Sequence, residues 1–182
     1  MTPTQGETVN ASSAHTLIAP VIPPHPSSPY DNWLAAFPLR SFLELGAYNT
    51  APGSARGHAR NVLREWRLDD LEDAVLLVVS ELISNAVAAT GRGVWEAELP
   101  PVRLWLLGRA DASGAGAGGT GEVMVLVWDA VAEPPVRVEA GAEDESGRGL
   151  KIVDWLSARQ WDCYLPSAPQ AGKVTRALIS TP

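Results

Sequence analysis

Cysteine is nearly absent, with Cys163 the only one in 182 residues. One thiol excludes an internal disulfide framework and a thiolate metal cage. Cys163 itself reads as a small buried residue in or near a strand. Long uninterrupted apolar runs are also missing, and none approaches the ~20 residues of a membrane span. The N-terminus has neither the basic flank nor the apolar core of a secretory signal, so a cytoplasmic protein with no membrane partner is expected. Positive charge is in deficit. The chain carries 14 Lys and Arg against 21 Asp and Glu, a net charge of −7. That balance argues against nucleic acid or an anionic membrane surface as the primary partner.

What is present supports a real core. Apolar residues make up 46% of the chain, and the length suits one domain with a tail. Residues 1–38 form a Pro/Ser/Thr-rich leader with Pro20, Pro23, Pro24, Pro26 and Pro29 close together. Such a stretch is neither helix nor central strand, and an extended or disordered leader is expected. Tyr30, Trp33, Leu34 and Phe37 near its end are apolar enough to cap the core or to meet a second subunit. Residues 39–182 are then the folded domain.

The longest periodic stretch runs from Leu71 to Thr90. Leu71, Val75, Val78 and Leu82 mark a helical core stripe. Glu81 and Asn85 lie four apart on a face beside that stripe, where polar groups must be satisfied or cost stability. A metal-bound polyphosphate would satisfy both. Asp69 or Asp70 is expected to cap the helix, and Gly91 and Gly93 to end it. Ahead of it, a strand at 41–48 and a helix at 55–66 with Pro52 in its first turn are expected. His58 in that helix reads as an ordinary surface residue. Downstream, a strand at 102–107 leads to a Gly/Ala-rich connector at 108–121, a strand at 122–129 ending in Asp129, and a loop at 130–146. A helix at 150–156 and strands at 160–165 and 173–179 follow. The Trp residues at 95, 105, 128, 155 and 161 are expected in the core and its rim. Hairpin-like strand runs with helices between them predict an α+β two-layer sandwich, with a mostly antiparallel sheet covered by helices on one face.

Three short motifs occur in one order: ELISNA at 81–86, VWD at 127–129 and ESGRGL at 145–150, with Gly172-Lys173 in a terminal strand. Over about residues 41–180 this combination resembles the histidine-kinase-like (GHKL) ATPase superfamily. More closely, it resembles the small stand-alone ATP-binding proteins of the anti-sigma-factor serine kinase type. The resemblance implies a Bergerat-type fold with ATP and Mg²⁺ as cofactors. It implies that Asn85 holds Mg²⁺ on the phosphates and that Glu81 is the general base. Asp129 would receive the adenine amine, with Ala89 also on the nucleotide. Gly147, Arg148, Gly149 and Leu150 would form the phosphate corner, and residues 130–146 the lid.

The expected partner is a sigma factor or an anti-sigma antagonist carrying the acceptor serine, and a homodimer is compatible. The sequence departs from the family twice. Asp129-Ala130-Val131 replaces a D-x-G pattern. Gly172-Lys173-Val174-Thr175 moves the family's threonine by one residue, which is expected to turn Thr175 away from the site. The first departure supports an alternative, a nucleotide-responsive binding module with little phosphoryl transfer. A third reading is an ATPase domain lent to a sensor-kinase-like complex. An ordinary sensor histidine kinase is disfavoured, because no phospho-acceptor histidine sits in a dimerisation helix.

Overall fold

Alternating side chains build the sheet. In the computed structural model, which describes residues 35–96, 98–110, 121–135, 148–166 and 171–181, β1 spans Leu39–Leu45, β2 Val102–Ala110, β3 Gly121–Asp129, β4 Trp161–Tyr164 and β5 Lys173–Ser180. Their order in the sheet is β1-β2-β3-β5-β4. Every pairing among the described residues is antiparallel. Among the described residues, the helices that complete the fold are α1 at Ala51–Trp66, α2 at Glu72–Arg92 and α3 at Arg148–Leu156. The fold is therefore α+β, as the order of elements predicts.

The two sheet faces divide the apolar residues. Leu104 and Leu106 of β2, Val123, Val125 and Val127 of β3, and Ala177 and Ile179 of β5 join the helices in the main core. Alternate residues on the same strands (Trp105, Leu107, Leu126, Trp128 and Val174) join Phe37 and Tyr164 in a second cluster that contains no helical residue. Period-two alternation thus sends one set to the helices and the other to the far face. Among the described residues, the helices cover one face only. Phe37 caps the far face, while Tyr30, Trp33 and Leu34 lie outside the described residues. Trp105 and Trp128 are buried and Trp155 is 80% exposed, so the tryptophans divide between core and rim.

Helix α2 is the central element. Leu71, Val75, Val78 and Leu82 are all buried, as the stripe predicts. The helical stretch Asp69–Arg92 is 24 residues long and contains an 18-residue window with a mean hydropathy of 1.7, long and apolar enough by those measures alone to cross a membrane. This corrects the reading that no stretch approaches a membrane span. Its apolarity has a local cause, since 56% of that window is buried inside the fold, against α1 and the sheet.

Several boundaries differ from the sequence expectation. Asp69 and Asp70 do not cap α2. They form a single turn of 3-10 helix at Asp69–Leu71, and α2 starts at Glu72 with no side-chain cap. The acidic first turn, with Glu72 and Asp73, still suits the helix dipole. Gly91 stays helical, and the end falls at Gly93 in extended conformation. Strand β1 lies at 39–45, earlier than the expected 41–48. Strand β2 runs on through Gly108, whose missing side chain leaves room for the Trp66 ring and Leu39. The expected Pro52 position is observed, in the first turn of α1.

Ile83, fully buried in the main core, tests this packing. Ile83→Ala should cost about 2–5 kcal/mol. Urea unfolding should show a lower midpoint at unchanged slope. A loss below about 1 kcal/mol would place α2 elsewhere than against the sheet.

Candidate functional site

A cavity of about 750 Å³ opens between α2 and the sheet. Helical spacing places Glu81, Asn85, Ala89 and Arg92 along its α2 wall. The sheet wall comes from β3 and β5. Their register sets Val127 opposite Thr175 and Asp129 opposite Lys173, and all four side chains line the cavity. The remaining wall is Val131, Glu133, Pro134 and Pro135 after β3, with Gly149 and Leu150 at the start of α3.

The structure thus brings together Glu81, Asn85, Ala89, Asp129, Gly149 and Leu150 from three separated stretches of sequence. Arg148 is the first residue of α3. Gly147, most of the expected lid and residues 111–120 of the connector expected at 108–121 lie outside the described residues, while 108–110 and 121 belong to β2 and β3. Among the described residues, no three His, Cys, Asp or Glu side chains cluster as a metal cage. His58 does not line the cavity. It is half-buried, shares a 2.8 Å hydrogen bond with Ser41 Oγ, and is held below its ordinary pKa by burial. Cys163 is half-buried in β4, and burial likewise pushes its thiol up.

One expectation is overturned. Thr175 does not turn away from the site: it is buried and lines the cavity. The reason is register. Lys173 and Thr175 are two apart on β5, so both share the face of Asp129 and Val127. Val174, between them, packs into the far-face cluster.

Glycines set two close approaches. Gly172 has φ +96°, in the left-handed region, and any Cβ there would collide with the Asp129 carbonyl and stand 3.0 Å from Trp128 Nε1. Trp128 Nε1 donates to the Ala171 carbonyl at 3.0 Å. Together these hold the start of β5 against the end of β3 and seat Lys173 beside Asp129. Gly149 packs against the Glu81 carboxylate, and a Cβ at 149 would overlap Oε2.

The electrostatic centre of the sheet wall is an ion pair. Lys173 Nζ donates to Asp129 Oδ1 at 2.8 Å and to the Val131 carbonyl at 3.1 Å. The Val131 N–H donates back to the same Oδ1 at 3.0 Å, closing a turn around the carboxylate. The two side chains are only 5% and 3% exposed. Burial pushes the Asp129 carboxyl above its ordinary pKa, opposed by the hydrogen bond and charge of Lys173 and by the Val131 N–H. Sequence reading placed Lys173 in the last strand but gave it no role. Its partner lies 44 residues away, and only the β3–β5 register reveals it. Arg92 was missed as well, although its spacing of seven from Asn85 already put it on the same helix face.

Asn85 supplies an independent clue. Its Nδ2 is enclosed and has no hydrogen-bond partner among the described residues, a cost of about 1–3 kcal/mol if nothing meets it. A ligand in the cavity would meet it. The amide also carries a hard oxygen suited to Mg²⁺, which takes its remaining ligands from water and phosphate. The residues present therefore fit a metal–polyphosphate group. The chain matches no known protein-family model, and no curated protein is similar to it.

The ion pair predicts a pH signature. Lys173→Met leaves Asp129 buried without its counter-charge, which should cost about 3–5 kcal/mol at neutral pH. A folded-state pKa above the unfolded one means that the native state binds the extra proton, so stability falls as pH rises through that window. Losing Lys173 raises the folded value further. The defect should be larger at pH 8 than at pH 5 in urea unfolding, and a defect of equal size at both would contradict the assignment.

Proposed function

We propose that this chain is an ATP-binding regulatory protein of the GHKL type with a Bergerat-type sandwich, acting as a serine/threonine protein kinase on a partner protein. The observation that carries the reading is that Glu81, Asn85, Asp129, Gly149 and Leu150 line one and the same cavity of about 750 Å³. Those residues come from three motifs that lie far apart in the sequence. Its volume lies in the range of ligand pockets, roughly 300–1,000 Å³.

Bound MgATP would supply the transferable phosphoryl group and the charge that offsets its anionic oxygens. The chain's residues do the positioning. Asn85 offers its side-chain oxygen to the metal. Gly149, in the first turn of the nine-residue α3, lets backbone N–H groups close on phosphate oxygens where the helix dipole favours an anion. Arg148 and Leu150 complete that corner, and Ala89 leaves room along the α2 wall. Glu81 accepts the proton of the acceptor serine hydroxyl. The serine oxygen bonds to the γ-phosphorus as the bond to the bridging oxygen breaks, and ADP leaves. Asp129 receives the exocyclic amine of the base. The acceptor serine belongs to an anti-sigma antagonist, and nucleotide state switches the chain between that antagonist and a sigma factor.

A second reading is a nucleotide-responsive binding module with little transfer. The Asp129–Lys173 bond and the Ala130-Val131 loop favour it, because Asp129 Oδ1 is engaged by Lys173 and the Val131 N–H.

Titration calorimetry separates the two. The wild type should bind MgATP, and Asn85→Ala should abolish that binding; an unchanged affinity in the variant would sink the site. Glu81→Gln should retain ATP affinity and lose phosphoryl transfer to an antagonist protein by about a hundredfold or more. A wild type that binds ATP but labels no candidate antagonist would establish the binding module instead.

A further inference from the structure

The base end of the cavity presents two polar atoms whose bonding is incomplete. Lys173 Nζ has three N–H groups. Two are spent, on Asp129 Oδ1 and the Val131 carbonyl. The third meets no acceptor among the described residues. On Asp129, Oδ1 takes both the lysine and the Val131 N–H, and Oδ2 takes neither. Both side chains line the cavity. A donor and an acceptor therefore stand side by side on one wall, each fixed by a partner that cannot move independently. Gly172 and the Trp128–Ala171 bond lock that placement from behind.

A buried ion pair stabilises a fold little compared with a well-packed apolar pair. Set on a cavity wall with one valence open on each partner, it is suited to recognition. Buried polar groups reject ligands that leave them unmatched far more strongly than an apolar wall does.

We infer that Lys173 is a base-reading residue, donating to the adenine ring N1 while Asp129 Oδ2 accepts from the neighbouring 6-amino group. The assignment rests on the ATP-binding reading above and extends it to specificity. The fixed pair matches a 6-amino purine, whose amine and N1 are adjacent donor and acceptor. A 6-oxo purine seated the same way sets O6 against Asp129 and N1–H against the Lys173 ammonium. Both contacts are then mismatched.

The test uses the full chain with Mg²⁺ and three triphosphates in calorimetry: ATP, 1-deaza-ATP, in which N1 is replaced by C–H, and inosine triphosphate. In the wild type, 1-deaza-ATP should bind about tenfold to a hundredfold more weakly than ATP, the range of one hydrogen bond to a charged group. Inosine triphosphate should bind more weakly still. In Lys173→Met, ATP and 1-deaza-ATP should bind alike, a ratio that a merely structural lysine would leave unchanged. Equal wild-type affinities for ATP and 1-deaza-ATP would overturn the role of Lys173 and leave the ATP site standing, as would an undiminished penalty in the variant. Should Lys173→Met fail to fold, the double variant Lys173→Met/Asp129→Leu decides: it removes both buried charges and offers N1 no donor, so an undiminished N1 penalty there also overturns the role. Failure of ATP itself to bind the wild type overturns the site reading and this inference together.

Discussion

Helix α2 has to be core and wall at once, and the rest of the structure is arranged around that double duty. One side of it buries Val75, Val78, Val79, Leu82 and Ile83 against α1 and the sheet. Burial of each such side chain contributes about 1.5–3 kcal/mol, an upper estimate because the unfolded chain is not fully extended. The neighbouring side carries Glu81 and Asn85 into the cavity. One orphaned amide costs about as much as one of those apolar contacts gains. The stripe can therefore carry the polar pair, and the helix holds its position without a ligand. Because the pair projects from a packed helix, its spacing is rigid.

The sheet wall solves a different problem. A carboxylate and an ammonium are removed from water at the ends of β3 and β5, and the desolvation cost is offset only if nearly every hydrogen-bonding position is used. Asp129 and Lys173 meet most of that condition through the Val131 backbone, which both accepts from the lysine and donates to the carboxylate, and leave one lysine N–H and Asp129 Oδ2 facing the cavity. The arrangement exists only because β5 can begin hard against β3, and Gly172 is the residue that permits it. A side chain at 172 would need a left-handed backbone and would collide with the Asp129 carbonyl. Three features at the start of β5 (the glycine before it, its first residue Lys173, and the buried Thr175) are thus consequences of one register.

Much of this was legible in the sequence because it is periodic. The stripe of α2, the alternation of β3 and the four-residue spacing of Glu81 and Asn85 are local patterns, and the structure returns them nearly unchanged. What was not legible depends on pairing between distant residues. Thr175 was misjudged because its orientation was inferred from a family pattern shifted by one residue, whereas the pairing of Val127 with Thr175 decides it. The Lys173–Asp129 bond was missed for the same reason. Helix caps failed differently. Asp69 and Asp70 have the chemistry of an N-cap, but Leu68 and Leu71 on either side are both buried. Seating those two leucines leaves only a 3-10 turn between them.

The two ends of the cavity rest on different supports, and that separates what each controls. From Glu81 to Arg92 the α2 wall extends about 16 Å at 1.5 Å per residue. At its Glu81 end stands Gly149, in the first turn of α3; facing it across the cavity are the ends of β3 and β5. The Gly149 end depends on two helices and on the absence of a Cβ at position 149. The Asp129 end depends on strand register and on the absence of a Cβ at position 172. A change at one end does not pass through the elements that hold the other. The ion pair lies wholly in the second part, so altering it leaves the geometry of Glu81 and Asn85 in place. On the ATP-binding function proposed above, affinity for the polyphosphate and choice of base would then be set by separate parts of the fold.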